Sequence, residues 1–146
     1  MLLEQARTIV AAAFAKGREL SLEPLVVAVL DAGGNLVAYE REDGAGIARF
    51  DIAFSKAWGS LGMGFGSREL TERAAKSPVF ISVIATVTGG RMAPSPGGVL
   101  ISDGSGQILG AVGVSGDVGD NDEACAIAGA QAAGLLAHSG KIARTR

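Results

Sequence analysis

The chain is poor in reactive side chains, and each scarcity closes off a class of protein. There is one cysteine, Cys125, so an internal disulfide framework is excluded. There is one histidine, His138, which the sequence pattern puts in the last turn of the final helix. No protease-type triad can be assembled around it, and its simplest role there is a cation near a helix C-terminus. Charged residues make up only 19% of the chain, with a net charge of −2 and a pI near 5.4. That balance argues against a nucleic-acid binder, which would show a basic face. No apolar run reaches the roughly 18 to 20 residues of a membrane span. The first segment, "MLLEQARTIVAAAFAKGREL", carries Glu4 and Arg7 within its apolar pattern, where a signal peptide needs an unbroken one. The expectation is a cytoplasmic protein.

What the chain has in quantity is small and apolar residues. Hydrophobic residues make up 48% of its 146 positions, there are 22 glycines, and the mean hydropathy is +0.33. That length suits one domain, residues 1–146, with a core of its own. The excess of Ala and Gly points to close backbone packing or to subunit interfaces. A homo-oligomer is therefore expected, of even subunit number because two-fold interfaces dominate soluble assemblies.

Leu2, Leu3, Ala6, Ile9, Val10, Ala13 and Phe14 recur at helical spacing and predict an amphipathic helix ending near Gly17. Two strand-like runs, Leu25 to Leu30 and Leu36 to Glu40, flank "DAGGN" and predict a hairpin. Helical periodicity returns from Ile47 to Leu61 and breaks at "GMGFG". A shorter helix follows to about Ala75, with Ser67 as its N-cap. The stretch from Ser77 is rich in β-branched residues but has room for a helical turn after Pro78. "GGVLIS" and "QILGAVGVSG", joined by "DGSG", predict a second hairpin whose turn resembles the first. A last helix is expected from Asn121 to Ala137. With no sustained strand–helix–strand alternation, the fold class is α+β, an antiparallel sheet flanked by helices.

The glycines do not form a nucleotide motif. "GVSGDVG" lacks the dinucleotide spacing, and "GMGFGSRE" has no lysine where a phosphate loop needs one. At the head of the last helix stand Asp117, Asp120, Asp122 and Glu123. No calcium-loop pattern accompanies them, and acids at a helix start interact favourably with its dipole, so a structural role is expected and no metal. Cys125 reads as a small apolar helix residue. The cations are more informative. Arg41 lies at a strand end, Lys56 in the middle of an apolar helix face, and Arg91 on a loop before a strand. Lysine at such a place commonly snorkels outward, but it can also point into a cleft and hold an anion. Arginine on a loop can grip a carboxylate through two parallel hydrogen bonds. Gly97 and Gly98, at the start of that strand, would let a ligand approach the backbone. The candidate ligand-binding set is therefore Arg41, Lys56, Arg91, Gly97 and Gly98.

Taken together and in order, several stretches resemble the GlcG/HbpS family. These are Asp31 to Gly34, Arg41 to Ala45, Lys56 with Ala57, Gly97 with Gly98, Gly113 to Gly116, and Asp122 with Glu123. That family includes haem-binding proteins and the C-terminal domain of PduO-type corrinoid adenosyltransferases. The resemblance implies a profilin-like sheet flanked by helices and a multimer, often an octamer. Haem binding in its characterised members depends on a histidine. Here Tyr39, Met63, Met92 and Cys125 are the axial ligands conceivable besides His138, and none lies in a known haem pattern, so no haem cofactor is expected. The first functional expectation is an oligomeric protein binding a small anionic ligand. One alternative is a cofactor-independent isomerase or lyase acting on a small carboxylic acid, with Glu123 or Asp122 moving a proton. The other is a haem-binding or haem-sensing protein with an unusual axial ligand.

Overall fold

The computed structural model describes residues 1–142. In chain order the elements are α1 (Leu3–Glu19), β1 (Val26–Asp31), β2 (Leu36–Arg41), α2 (Arg49–Met63), α3 (Ser67–Lys76), α4 (Pro78–Val87), β3 (Gly98–Ser102), β4 (Ile108–Ser115), α5 (Gly119–Ala132) and β5 (Leu136–His138). The strands form one antiparallel sheet in the order β2-β1-β4-β3-β5. This is the expected α+β architecture, with both hairpins in place.

Alternation along the strands sorts the two faces. Leu25, Val27, Val29, Val99, Ile101, Val112 and Val114 point to one side and meet α1 and α5. Ala6 and Ala13 of α1 share that core with Ala126 and Ala130 of α5, and a Cβ at Gly129 would lie 2.7 Å from the Ile9 carbonyl oxygen. Much of the Ala and Gly excess is thus used for close helix packing inside the chain. The opposite face carries Ala28, Leu30, Leu100 and Ala111 and receives α2 through Ala53 and Ala57. Here two glycines are required by approach: a Cβ at Gly113 would collide with the Ala53 carbonyl, and one at Gly98 with that of Lys56. The backbone of α2 therefore lies almost against the sheet.

The two hairpin turns share one construction. Asp31 Oδ1 accepts from the N–H groups of Gly33 and Asn35, and Asp103 Oδ1 from those of Ser105 and Gln107. Each aspartate mimics a turn of backbone and fixes the register of its hairpin.

Several expectations need correction. Ile47 lies outside α2 and is 91% exposed. Ser67 is not an N-cap: Gly66 holds that position, and the Ser67 hydroxyl instead accepts from Gly98 N–H at 2.7 Å. Gly17 sits inside α1, which continues to Glu19. After Pro78 the chain makes a ten-residue helix rather than a turn. The final helix stops at Ala132, five residues early. Gly134, at φ +72°, closes it with hydrogen bonds from Gly134 N–H to Gln131 and from Leu135 N–H to Ala130. His138 consequently lies on an edge strand, where its Nε2 meets Ser102 Oγ at 2.7 Å. No helix among the described residues is long and apolar enough to cross a membrane.

Candidate functional site

Lys56 and Asp122 make the most deeply buried ion pair among the described residues. The Lys56 amine lies 2.9 Å from Asp122 Oδ2, and the two side chains are 2% and 1% exposed. The amine also donates to the Val114 carbonyl, and Asp122 Oδ1 accepts from Asp117 N–H. The outward path that a lysine at such a place commonly takes is not followed, because the apolar face that carries it lies against the sheet. Burial pushes the Asp122 carboxyl up and the Lys56 amine down from their ordinary values, and their attraction opposes both shifts. The space over Gly97 and Gly98 is occupied by this same lysine. A Cβ at Gly97 would fall 2.9 Å from its Nζ, and one at Gly98 would strike its carbonyl.

The other acids at the head of α5 are engaged as well. Arg68 of α3 donates to both oxygens of Glu123 and also to Asp120. Asp117 accepts from Val118 N–H, Asn121 Nδ2 and Glu23 N–H, which hold its carboxyl below the usual range, Asn121 most strongly. The acidic junction therefore fastens α5 to α2, to α3 and to the segment before β1.

The sequence-selected cations do not share neighbours. Arg41, at the end of edge strand β2, lines an open hollow of about 470 Å³ with Arg18, Glu40, Glu42 and Asp43. Arg91 stacks on Trp58, its guanidinium carbon 4.1 Å from the ring centroid, and donates to the Thr88 carbonyl. Lys56 is inside. Of the five candidates, only Lys56, Gly97 and Gly98 come together.

A different group of side chains does converge on a groove. Met63, Glu69, Arg73, Lys76, Ser77, Phe80, Ile81 and Lys141 line about 390 Å³ between α3, α4 and the C-terminal stretch. Glu69 accepts from Arg73 Nε at 2.9 Å and faces Lys141 at 3.6 Å, and it is held below the usual carboxylate range chiefly by the Arg73 hydrogen bond. Arg73 also lies over the Phe65 ring. Lys76 has no ion-pair partner among the described residues. Three cations thus face one carboxylate beside an apolar wall, an arrangement suited to an anion with an apolar body. The available signal was "TERAAKSPVFI", where two cations one helical turn apart precede an apolar run with no charge of its own.

The conceivable iron ligands are dispersed. Cys125 is buried with its thiol pushed up to about 11, mainly by desolvation, and so remains protonated. Met92 is buried over Gly59. Tyr39 stands edge-on to Phe50, and His138 is bonded to Ser102. Met63 alone lines the groove. Among the described residues no three His, Cys, Asp or Glu side chains are grouped to hold a metal ion.

Comparison with known proteins agrees with the fold. The family model described as haem degrading protein HbpS-like matches residues 1–131. An uncharacterized 15.0 kDa protein in the dhaT–dhaS intergenic region of Citrobacter freundii is 30% identical over 120 residues, 82% of each chain. Among solved structures, Klebsiella pneumoniae ORFY superposes with a TM-score of 0.83 at 28% identity, covering 92% of this chain and 90% of its own. A double mutant of Streptomyces reticuli HbpS gives 0.76 at 30% identity, with coverage of 90% and 85%. The PduOC–haem complex gives 0.84 over 94% of this chain and 98% of its own, at 22% identity, a likeness of fold alone.

Proposed function

The chain belongs to the HbpS-like family, and from that premise we propose that it binds a small anionic molecule with an apolar body in the groove between α3, α4 and Lys141. The observation that carries this reading is the convergence of Arg73, Lys76 and Lys141 on one cavity walled by Phe80 and Ile81, against the single acid Glu69. A carboxylate entering such a site loses water, and charged donors replace it. Catalysis through Asp122 or Glu123 is less well supported, because both carboxylates are already bonded to cations.

Haem, the molecule in the family's description, is a ligand of this class, with two carboxylates on an apolar ring. The cations suit its carboxylates, Phe80 and Ile81 suit the ring edge, and Met63 is the thioether available beside them. A bound haem would supply redox iron. Haemin titration is expected to give a spectrum that His138→Ala leaves unchanged and Lys76→Ala weakens. A sharp imidazole-type Soret band lost in His138→Ala would move the site to β5.

The direct test is calorimetry with benzoate against benzylamine. Removing a charged hydrogen bond of this kind costs about 1.5–3 kcal/mol, so Lys76→Ala is expected to weaken benzoate roughly 10- to 150-fold. Arg41→Ala and Arg91→Ala serve as controls. Unchanged affinity in Lys76→Ala and Lys141→Ala would refute the groove, and a loss confined to the controls would place the anion beside them instead.

The same reading includes a homo-oligomer with an even number of subunits, an octamer by family resemblance. Helix α4 carries no charged residue, and Val79, Phe80, Val83 and Val87 are all exposed on it. Monomers rarely leave such a contiguous apolar face in water. Light scattering is expected to give a multiple of 14.7 kDa, with Val83→Asp shifting it towards the monomer.

A further inference from the structure

The charges of the groove stand in a row rather than at a point. Glu69, Arg73 and Lys76 follow one another at helical spacing on one face of α3. The seven residues from Glu69 to Lys76 span about 10 Å of helix. Lys141 belongs to the Glu69 end, where its amine lies 3.6 Å from Glu69 Oε1. Lys76, the last residue of α3, stands at the other end, beside Ser77 at the start of α4.

The charge is unbalanced at both ends. At the first, Arg73 at 2.9 Å and Lys141 share the one carboxylate of Glu69, so two positive charges meet one negative charge. At the second, Lys76 has no ion-pair partner among the described residues. Glu72, the other acid of α3, does not line the groove. One unit of positive charge is therefore left over at each end. A carboxylate matches such a surplus, whereas a phosphate brings nearly two negative charges. The rest of the wall is Met63, Phe80 and Ile81, with Ser77 the only uncharged polar side chain.

We infer that the ligand is a linear dicarboxylate, one carboxylate held by Lys76 and the other by Arg73 with Lys141, its hydrocarbon chain lying along the groove against Phe80 and Ile81. This rests on the groove reading above and adds a second anionic group at a set separation from the first. Two linked groups bind better than one only where the linker spans both sites.

The experiment is calorimetry on the full chain, comparing each dicarboxylate with the monocarboxylate of equal carbon number. The pairs are succinate with butyrate, adipate with hexanoate and suberate with octanoate. Lys141 is 70% exposed, which keeps the expected advantage of suberate over octanoate to about fivefold. Succinate is too short to span the row, so its advantage over butyrate should stay within about twofold, the statistical effect of two identical ends. Lys141→Ala leaves Glu69 matched by Arg73 alone and is expected to cut the suberate-to-octanoate ratio to about twofold. Lys76→Ala is expected to weaken both acids. Glu69→Gln removes the shared negative charge and is expected to tighten suberate, a gain that a poorly folded variant would not give. Suberate binding no better than octanoate would overturn the second carboxylate and leave the groove standing, as would a ratio unchanged in Lys141→Ala. Suberate no tighter in a Glu69→Gln chain that folds by circular dichroism would overturn the count of charges behind it. No binding of any carboxylate, benzoate included, would remove the groove reading and this inference with it.

Discussion

Removing the Lys56 amine should be among the most damaging single changes in the chain. Lys56→Met keeps much of the side-chain volume but leaves Asp122 buried, 1% exposed, without its cation. An uncompensated buried charge of this kind costs about 3–5 kcal/mol, most of a marginal protein's stability. Unfolding entropy of about 2.1 cal/mol/K per residue, over 146 residues, makes each kcal/mol worth about 3 °C, so the expected fall in Tm is about 10–16 °C. Asp122→Leu should do comparable harm, since it strands the amine and also removes the acceptor of Asp117 N–H. The double variant Lys56→Met, Asp122→Leu is expected to be more stable than either single one, because no charge is then buried. It should stay below the parent by about 1–3 kcal/mol for the orphaned Asp117 N–H. Urea unfolding of the four proteins, read as midpoints at constant m, gives the coupling directly. Single variants each costing under about 1 kcal/mol, with additive effects, would refute the reasoning. Such a result would return Lys56 to the set of cations free to hold a ligand.

Three further outcomes follow from the local chemistry. The turn carboxyls of Asp31 and Asp103 lie below their ordinary value of 3.8, held there first by the Asn35 backbone N–H and by the Ser105 hydroxyl respectively. Their stabilisation is fully present above 3.8 and lost as pH falls through the lower folded values. Acid unfolding of Asp31→Asn and Asp103→Asn should therefore show a shallower pH dependence below pH 3.8 than the parent. Gly134→Ala should cost about 1–2 kcal/mol in thermal unfolding, all of it from the backbone, because a Cβ there meets no atom within 4 Å. Cys125, with its thiol pushed up to about 11 by burial, should resist a thiol reagent at pH 8 until the protein is denatured; immediate labelling of the native chain would contradict its burial.

The hairpins could be read from sequence because their determinants are local. Asp31 and Asp103 each lie within a few residues of the groups they organise, and alternation fixes which side chains face inward. The end of α5 depended on competition over distance. "AAGLLAHSG" continues a helical composition, but Gly134 terminates the helix and Leu136 to His138 then hydrogen-bond to the side of β3 that β4 does not occupy. No property of those three residues states that this side of β3 is open to them. Ser67 is a similar case, since its hydroxyl is drawn from the helix start to a strand N–H 31 positions away.

The candidate site was harder to read for the same reason, carried further. Arg73, Lys76 and Lys141 are ordinary surface cations when each is judged on its own element, and they come to line one groove only because the C-terminal stretch crosses the start of α3. Arg91 looked better placed, on a loop beside glycines, but a flat indole was within reach and took its guanidinium. Lys56 shows which combination did carry information. Its apolar helix face required an approach close enough for backbone contact, and Gly97, Gly98 and Gly113 on the opposing surface permitted that approach. A lysine held between such surfaces cannot reach water, so it needs an anion from elsewhere in the chain. The acids at the head of α5 were the natural donors of one. Read jointly, the bare strand start, the lysine on the apolar face and the acidic helix head specify a buried pair rather than a ligand grip. Lys76, with no ion-pair partner among the described residues, stands instead beside the apolar wall of the groove between α3 and α4.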